Sequence, residues 1–134
     1  LLVSILRLIS FNFANETTEI EVEARLIEVP GTLPANDLYN YVYVVKYKVQ
    51  KVIQGELKSK EIFVGHYNPL IPRAQIKDKM DALVEGNLKN LKKGQKHLLK
   101  LKLLEESWEG PIEDEFFDDE ESPRYFAAYA DLLP

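Results

Sequence analysis

The two histidines, His66 and His97, are the side chains of this chain best suited to binding a metal or moving a proton. A zinc site needs three or four ligands, commonly with His-x-x-x-His or Glu-x-x-His spacing, and neither spacing occurs here. The chain has no cysteine, which excludes disulfides, thiolate zinc sites and cysteine nucleophiles. We therefore predict no metal site and no cofactor, with both histidines as structural or surface residues.

Motifs for nucleophilic catalysis and phosphate binding are also missing from the sequence. No serine lies in a Gly-x-Ser-x-Gly context, and no Gly-x-Gly-x-x-Gly or phosphate-loop pattern occurs. Acid–base chemistry by paired carboxylates stays open, because the sequence does not show which carboxylates meet in space. We expect a protein that is not an enzyme.

The segment Glu109–Glu121 is mostly acidic. Calcium binding is one interpretation, although the EF-hand spacing and its central glycine are absent; the carboxylates available for it are Asp114, Asp118, Asp119 and Glu120. The other interpretation, which we favour, is a solvated loop, because dense like charge opposes compact packing. Residues 109–121 are therefore predicted to be a mobile acidic loop.

The stretch "GHYNPLIPR", Gly65–Arg73, is the best candidate for a binding site. It follows a predicted strand, its two prolines restrict the backbone, and connecting loops commonly carry function. The side chains that would contact a partner are His66, Tyr67, Asn68 and Arg73. The simpler alternative is a loop that closes the end of a barrel, with Leu70 and Ile71 buried.

The elements that would position such a loop are mainly strands. Thr18–Val29 alternates apolar and charged residues, which indicates a strand with one dry face. The long run Tyr41–Ile53 and the shorter Lys60–His66 flank a polar turn near Gly55, so we predict one antiparallel hairpin. The tyrosines of the long strand fit either core packing, which we favour, or a stacking platform for sugars or nucleic acid.

The second half of the chain mixes helical and strand patterns. Arg73–Gly86 has helical spacing of its apolar residues, which predicts one helix ending at Gly86. Lys96–Leu103 alternates leucine with lysine and predicts another strand, whereas Tyr125–Leu133 fits a last strand or a short helix. The apolar start, Leu1–Phe11, fits a packed terminal strand or helix, or the end of an export or anchor segment. Because the chain begins with leucine, we expect a fragment or a processed form.

The order of strand, long strand, glycine turn, strand, helix and strand resembles an OB-fold, and it predicts an all-β domain with one helix, a small closed or partly open β-barrel. "KVIQG", Lys51–Gly55, followed by Ile62 and Val64, resembles the netrin-like or TIMP-like type of OB-fold over roughly residues 41–104. Those families usually carry disulfides, and TIMP-like inhibitors place an N-terminal cysteine on the protease metal. This chain has no cysteine, so that mechanism does not transfer to it.

These observations predict a single domain over residues 1–134. We expect it to be a non-enzymatic binding module for a protein or carbohydrate partner. Its expected setting is extracytoplasmic, either periplasmic or secreted. The alternative is an accessory domain of a bacterial carbohydrate-modifying hydrolase or acyltransferase whose active site lies elsewhere. The formal net charge of −5 disfavours a nucleic-acid partner. The apolar start is too short to span a bilayer and contains Arg7, so no membrane insertion is expected from these residues.

Overall fold

The structure, a computed structural model, describes residues 19–134, and the predicted N-terminal element at Leu1–Phe11 lies outside them. The strands are β1 (Ile20–Glu28), β2 (Val42–Gln54), β3 (Glu61–Tyr67), β4 (Lys96–Leu103), β5 (Ile112–Glu113) and β6 (Arg124–Leu133). Two 3-10 turns, Arg73–Gln75 and Asp81–Leu83, lie between β3 and β4, and a four-residue helix α1 (Leu104–Ser107) follows β4.

Five of the strands form a closed ring of backbone hydrogen bonds. The pairing runs β1–β2–β3–β6–β4 and returns to β1, and only the β3–β6 pair within this ring is parallel. The short strand β5 joins β2 outside the ring, also in parallel. The predicted all-β, barrel-like architecture is therefore confirmed.

Strand β2 closes the ring because it is long enough to belong to two ladders. Its first half pairs with β3, from Val42 opposite Tyr67 to Lys48 opposite Glu61. Its second half stays on β1, where three register shifts bend the pair. The predicted hairpin of Tyr41–Ile53 and Lys60–His66 is confirmed, and its connection contains Gly55.

The interior of the ring is an apolar core to which all five strands contribute. The predicted dry face of β1 is buried there, as are Leu99 and Leu101 of β4 and the tyrosines of the long strand. Its largest side chains, each almost fully buried, include Tyr41, Tyr43, Tyr47, Leu26, Leu99 and Leu101. The tyrosines are thus core residues, and their rings are not available as a stacking platform.

A second apolar cluster covers the outer face of β2 and β3. Val42 and Val44, which alternate with the interior tyrosines, lie beneath it together with Phe63 of β3. The covering side chains come from the connections before and after β4, namely Ile76, Met80, Val84, Leu104, Trp108 and Phe116. The sheet face that points away from the core is therefore buried as well.

The predicted helix over Arg73–Gly86 is wrong. The segment contains two 3-10 turns, although the apolar residues Ile76, Met80 and Val84 are buried as the helical spacing required. The residues that follow pair with β6 instead: the amide of Glu85 donates to the Ala128 carbonyl at 2.9 Å, and its carbonyl accepts from the Ala130 amide at 3.0 Å.

The other open prediction, for Tyr125–Leu133, resolves as a strand, because these residues lie in β6 between β3 and β4.

Within residues 19–134, no helix has the length and apolar character needed to cross a membrane.

Gly86 and Gly94 give a matched pair for testing the contact between this segment and β6. Both have positive φ, 110° and 95°, so alanine at either position costs about 1–3 kcal/mol. A Cβ at Gly86 would also overlap the Ala130 backbone, whereas a Cβ at Gly94 would meet no atom within 4 Å. We expect Gly86→Ala to lower the free energy of unfolding by about 1–3 kcal/mol more than Gly94→Ala, measured by urea denaturation. Equal losses would contradict the close approach.

Candidate functional site

The predicted binding residues do not form one surface. His66, Tyr67, Asn68 and Arg73 are all buried. His66 and Arg73 lie within hydrogen-bonding distance of each other, and Tyr67 lines a small pocket of about 10 Å³ together with them. Leu70 is exposed, contrary to the capping alternative, which expected it to be buried. A role of these four residues in partner recognition stays a prediction.

Tyr67 and Asn68 hold neighbouring parts of the fold in place. The Tyr67 hydroxyl donates to Asp78 at 2.7 Å, and its ring packs edge-on against Trp108 in the outer cluster. Asn68 has a positive φ of 40°, and its side-chain carbonyl accepts from the Tyr41 amide at 3.0 Å. Both residues therefore stabilise the start of β2 rather than face solvent.

His66 and Arg73 belong to a buried polar chain inside the ring. Arg73 lies 3.2 Å from His66 Nδ1, and the Tyr47 hydroxyl lies 2.8 Å from His66 Nε2 and 2.7 Å from His97 Nδ1. The chain ends where His97 Nε2 lies 2.9 Å from the side-chain oxygen of Gln95. Three elements that are distant in sequence thus meet in one line of hydrogen bonds.

The donor capacities of these groups determine which atom donates in each hydrogen bond of the buried polar chain. A guanidinium only donates, so His66 Nδ1 accepts from Arg73 and the proton lies on Nε2, which donates to Tyr47. The single proton of the Tyr47 hydroxyl then points to His97 Nδ1, and His97 Nε2 donates to Gln95. Both histidines are therefore neutral, and every bond of the chain is satisfied.

The electrostatics of the site agree with this assignment. Burial, followed by the nearby Arg73 charge, lowers the pKa of His66 well below its usual value and that of His97 to about 4. Burial lowers the pKa of Arg73 to about 10, so its guanidinium stays charged at neutral pH. That cation is held by the carbonyls of Glu85 at 3.0 Å and Ala127 at 2.9 Å. The arrangement fits a structural tie, because every polar atom named in it already has a protein partner.

The open concave surface lies elsewhere, beside the acidic segment. A cleft of about 540 Å³ has an apolar floor built from Leu103, Leu104, Ile112 and Phe117. Phe117 is 67% exposed and Ile112 43% exposed, so two large apolar side chains that line the same cleft are open to solvent. Its rim carries the carboxylates of Glu105, Asp114, Asp119, Glu120 and Glu121. We call this surface the acid-rimmed cleft.

Arg124 organises the acidic segment that builds the cleft. It forms an ion pair with Asp114 at 2.8 Å and donates to the carbonyls of Phe116 at 2.6 Å and Ser122 at 2.9 Å. Its guanidinium also lies over the Phe63 ring, 4.4 Å from the centroid. The segment is therefore tied to β3 and β6 at several points, while the predicted mobility of residues 109–121 stays a prediction.

Sequence reasoning assigned this segment only to solvent or to calcium. Asp114 is paired with Arg124 and Asp119 with Ser122, and residues 19–134 contain no group of three or more histidine or carboxylate side chains placed to hold a metal ion. The adjacent Phe116 and Phe117 were the sequence signal for an anchored segment. The Phe116 ring packs on that of Phe63, with 4.8 Å between the centroids, and Phe117 faces the cleft.

Comparisons of this chain with protein-family models, with curated proteins and with solved structures found no match.

The buried polar chain predicts that two similar substitutions, both Tyr to Phe, have unequal effects on the free energy of unfolding. Tyr47→Phe leaves the His66 N–H without an acceptor and His97 Nδ1 without a donor, which we expect to cost about 2–4 kcal/mol of unfolding free energy. Tyr43→Phe is the matched control, because the buried Tyr43 hydroxyl has no hydrogen-bond partner among residues 19–134, and its loss should be neutral or stabilising. Chemical denaturation of both variants tests this, and similar losses would refute the assigned chain.

The neutral histidines predict a loss of stability in mild acid. Their folded pKa values lie below 6.5, so the unfolded chain binds more protons between pH 6.5 and about 4. Stability is thus fully present above pH 6.5 and falls as the pH decreases, by up to about 1.4 kcal/mol per pH unit for each histidine. Urea titrations at several pH values should show that the free energy of unfolding decreases as the pH falls. We expect His97→Gln to reduce the slope of this free energy against pH by the equivalent of about one proton. An unchanged slope would show that His97 is not buried in its neutral form.

Proposed function

We propose that this chain is a non-enzymatic interaction module of OB-like type that binds a protein partner through the acid-rimmed cleft. The observation that carries the proposal is the exposed apolar surface of that cleft, where Phe117 and Ile112, both open to solvent, line one concave surface. Contiguous exposed apolar surface with a polar rim is typical of protein-binding sites.

The OB-like assignment is supported by the strand pairing. The ring β1–β2–β3–β6–β4, with its single parallel pair, is a five-stranded barrel-like arrangement, and five strands in a barrel are what an OB-fold requires. The two 3-10 turns between β3 and β4 depart from the helix expected there. The resemblance of Lys51–Gly55 to netrin-like domains supports an extracytoplasmic setting for the module.

The cover on β2 and β3 favours a protein over a carbohydrate partner. OB-folds bind oligosaccharides and oligonucleotides on the outer face of these strands. Here that face is occupied by the chain's own Trp108, Phe116 and Met80, and the tyrosine rings lie inside the ring. The acid-rimmed cleft is the neighbouring surface that stays open, and its apolar floor suits a side chain of a protein.

Binding partners can be sought by presenting the chain to a displayed random-peptide library and to a glycan array. We expect peptide ligands whose binding weakens at least tenfold in Phe117→Ala, because an exposed aromatic anchor is lost. Leu38→Ala is the matched control, since Leu38 is 84% exposed but lies outside the cleft lining. Ligands found only on the glycan array, or equal binding by both variants, would contradict the proposal.

A further inference from the structure

We infer that the partner of the acid-rimmed cleft is an extended polypeptide segment that carries lysine or arginine residues around one large apolar side chain. This inference rests on the proposed function, because it takes the cleft to be the binding site and specifies the chemistry of its occupant. Three features of the surface support it: the charge of the rim, the preorganisation of the rim, and the shape of the surface that continues from it.

The rim has negative charge that the described residues do not compensate. Asp114 is paired with Arg124, but no lysine or arginine in residues 19–134 forms a salt bridge with Glu105, Glu120 or Glu121. A further depression of about 530 Å³ beside the cleft is lined only by Asp118, Asp119, Glu120 and Glu121. Carboxylates gathered around low-dielectric apolar surface attract cations and repel anions, so the occupant carries positive charge.

Part of this rim is fixed before any partner arrives. The carboxylate of Asp119 accepts from the Ser122 amide at 2.9 Å and from its hydroxyl at 2.8 Å, and the Asp119 amide donates to the Phe116 carbonyl at 3.1 Å. These bonds from Ser122 also lower the pKa of Asp119. The turn that carries Glu120 and Glu121 is thus already formed, which reduces the ordering cost of binding.

The floor of the cleft requires more than a small cation. Phe117 and Ile112 expose apolar surface that only an apolar side chain can cover, and this excludes simple polyamines or metal ions as adequate occupants. Beyond the ridge of Ser122 and Pro123 lies a second depression of about 270 Å³, which includes Leu57. An occupant that reaches both depressions is a chain of several residues in extended form, at about 3.3 Å per residue.

Three synthetic twelve-residue peptides, each with a fluorescent label, test this chemistry directly. The first has Lys residues around a central Phe-Leu pair, the second has Glu in place of Lys, and the third has Ser in place of Phe-Leu. Fluorescence anisotropy with the full chain should show binding of the first peptide, at least tenfold weaker binding of the third, and no binding of the second. Raising the salt concentration should weaken the first complex.

The matched variants separate a local rim effect from the general charge of the protein. Glu120→Gln with Glu121→Gln removes two rim charges, and Glu106→Gln with Glu109→Gln removes two exposed charges outside the cleft lining. We expect the first pair to weaken binding of the Lys peptide about three- to tenfold and the second pair to change it less than twofold. Thermal unfolding of both variants checks that the fold is retained.

Four outcomes would overturn the inference. Equal binding of the Lys and Glu peptides would show that charge does not select the occupant, and equal effects of the two glutamate pairs would show that the rim is not used. Dimers of the chain that dissociate only in the Glu120→Gln, Glu121→Gln variant would identify a second copy as the occupant. If library peptides without basic residues bind and are lost in Phe117→Ala, the proposed function stands and this inference alone fails.

Discussion

The double pairing of β2 is the constraint on which the rest of the structure depends. Because this strand bonds to β3 at one end and to β1 at the other, five strands close into a ring and their edges are satisfied. Closure divides its side chains into an interior set with Tyr47 and an exterior set with Val42 and Val44. The exterior set is apolar only at the start of the strand, at Val42 and Val44, and the connections around β4 cover that part.

A buried charge lies next to the interior core, and the two histidines near it are held in their neutral form. Arg73 sits beside the core with backbone carbonyls as partners, and a charge in such a place is tolerated only when it is hydrogen-bonded. His66 can accept a hydrogen bond from Arg73 only as a neutral ring. Tyr47 accepts from His66 and therefore donates to His97, which is then also a neutral ring. A single buried guanidinium thus accounts for the neutral form of two histidines, and each ring nitrogen already lies at a protein partner.

The exterior cover explains where a partner can bind. Trp108 and Phe116 occupy the outer face of β2 and β3, and Phe116 can do so because Arg124 holds its backbone against Phe63. The next residue, Phe117, then faces away from the barrel into the acid-rimmed cleft. The acidic segment therefore has two roles: Phe116 helps to cover the outer face of β2 and β3, and Phe117 lines the acid-rimmed cleft.

The sequence by itself determined β1 to β4, the β2–β3 hairpin and the all-β class, because alternation of apolar residues and glycine turns are local properties of the chain. It left β6 open between a strand and a short helix, and it placed β5 in an acidic loop. It could not determine the state of residues 73–86: the spacing of Ile76, Met80 and Val84 satisfies burial in a helix, but pairing of Glu85 with β6 made irregular backbone the better solution. The link from His66 through Tyr47 to His97 was decided by tertiary structure, since ring closure brings these residues of three strands together. The cleft was decided by how residues 103–124 fold over β3 and β6, where Arg124 and Phe116 hold the acidic segment in place.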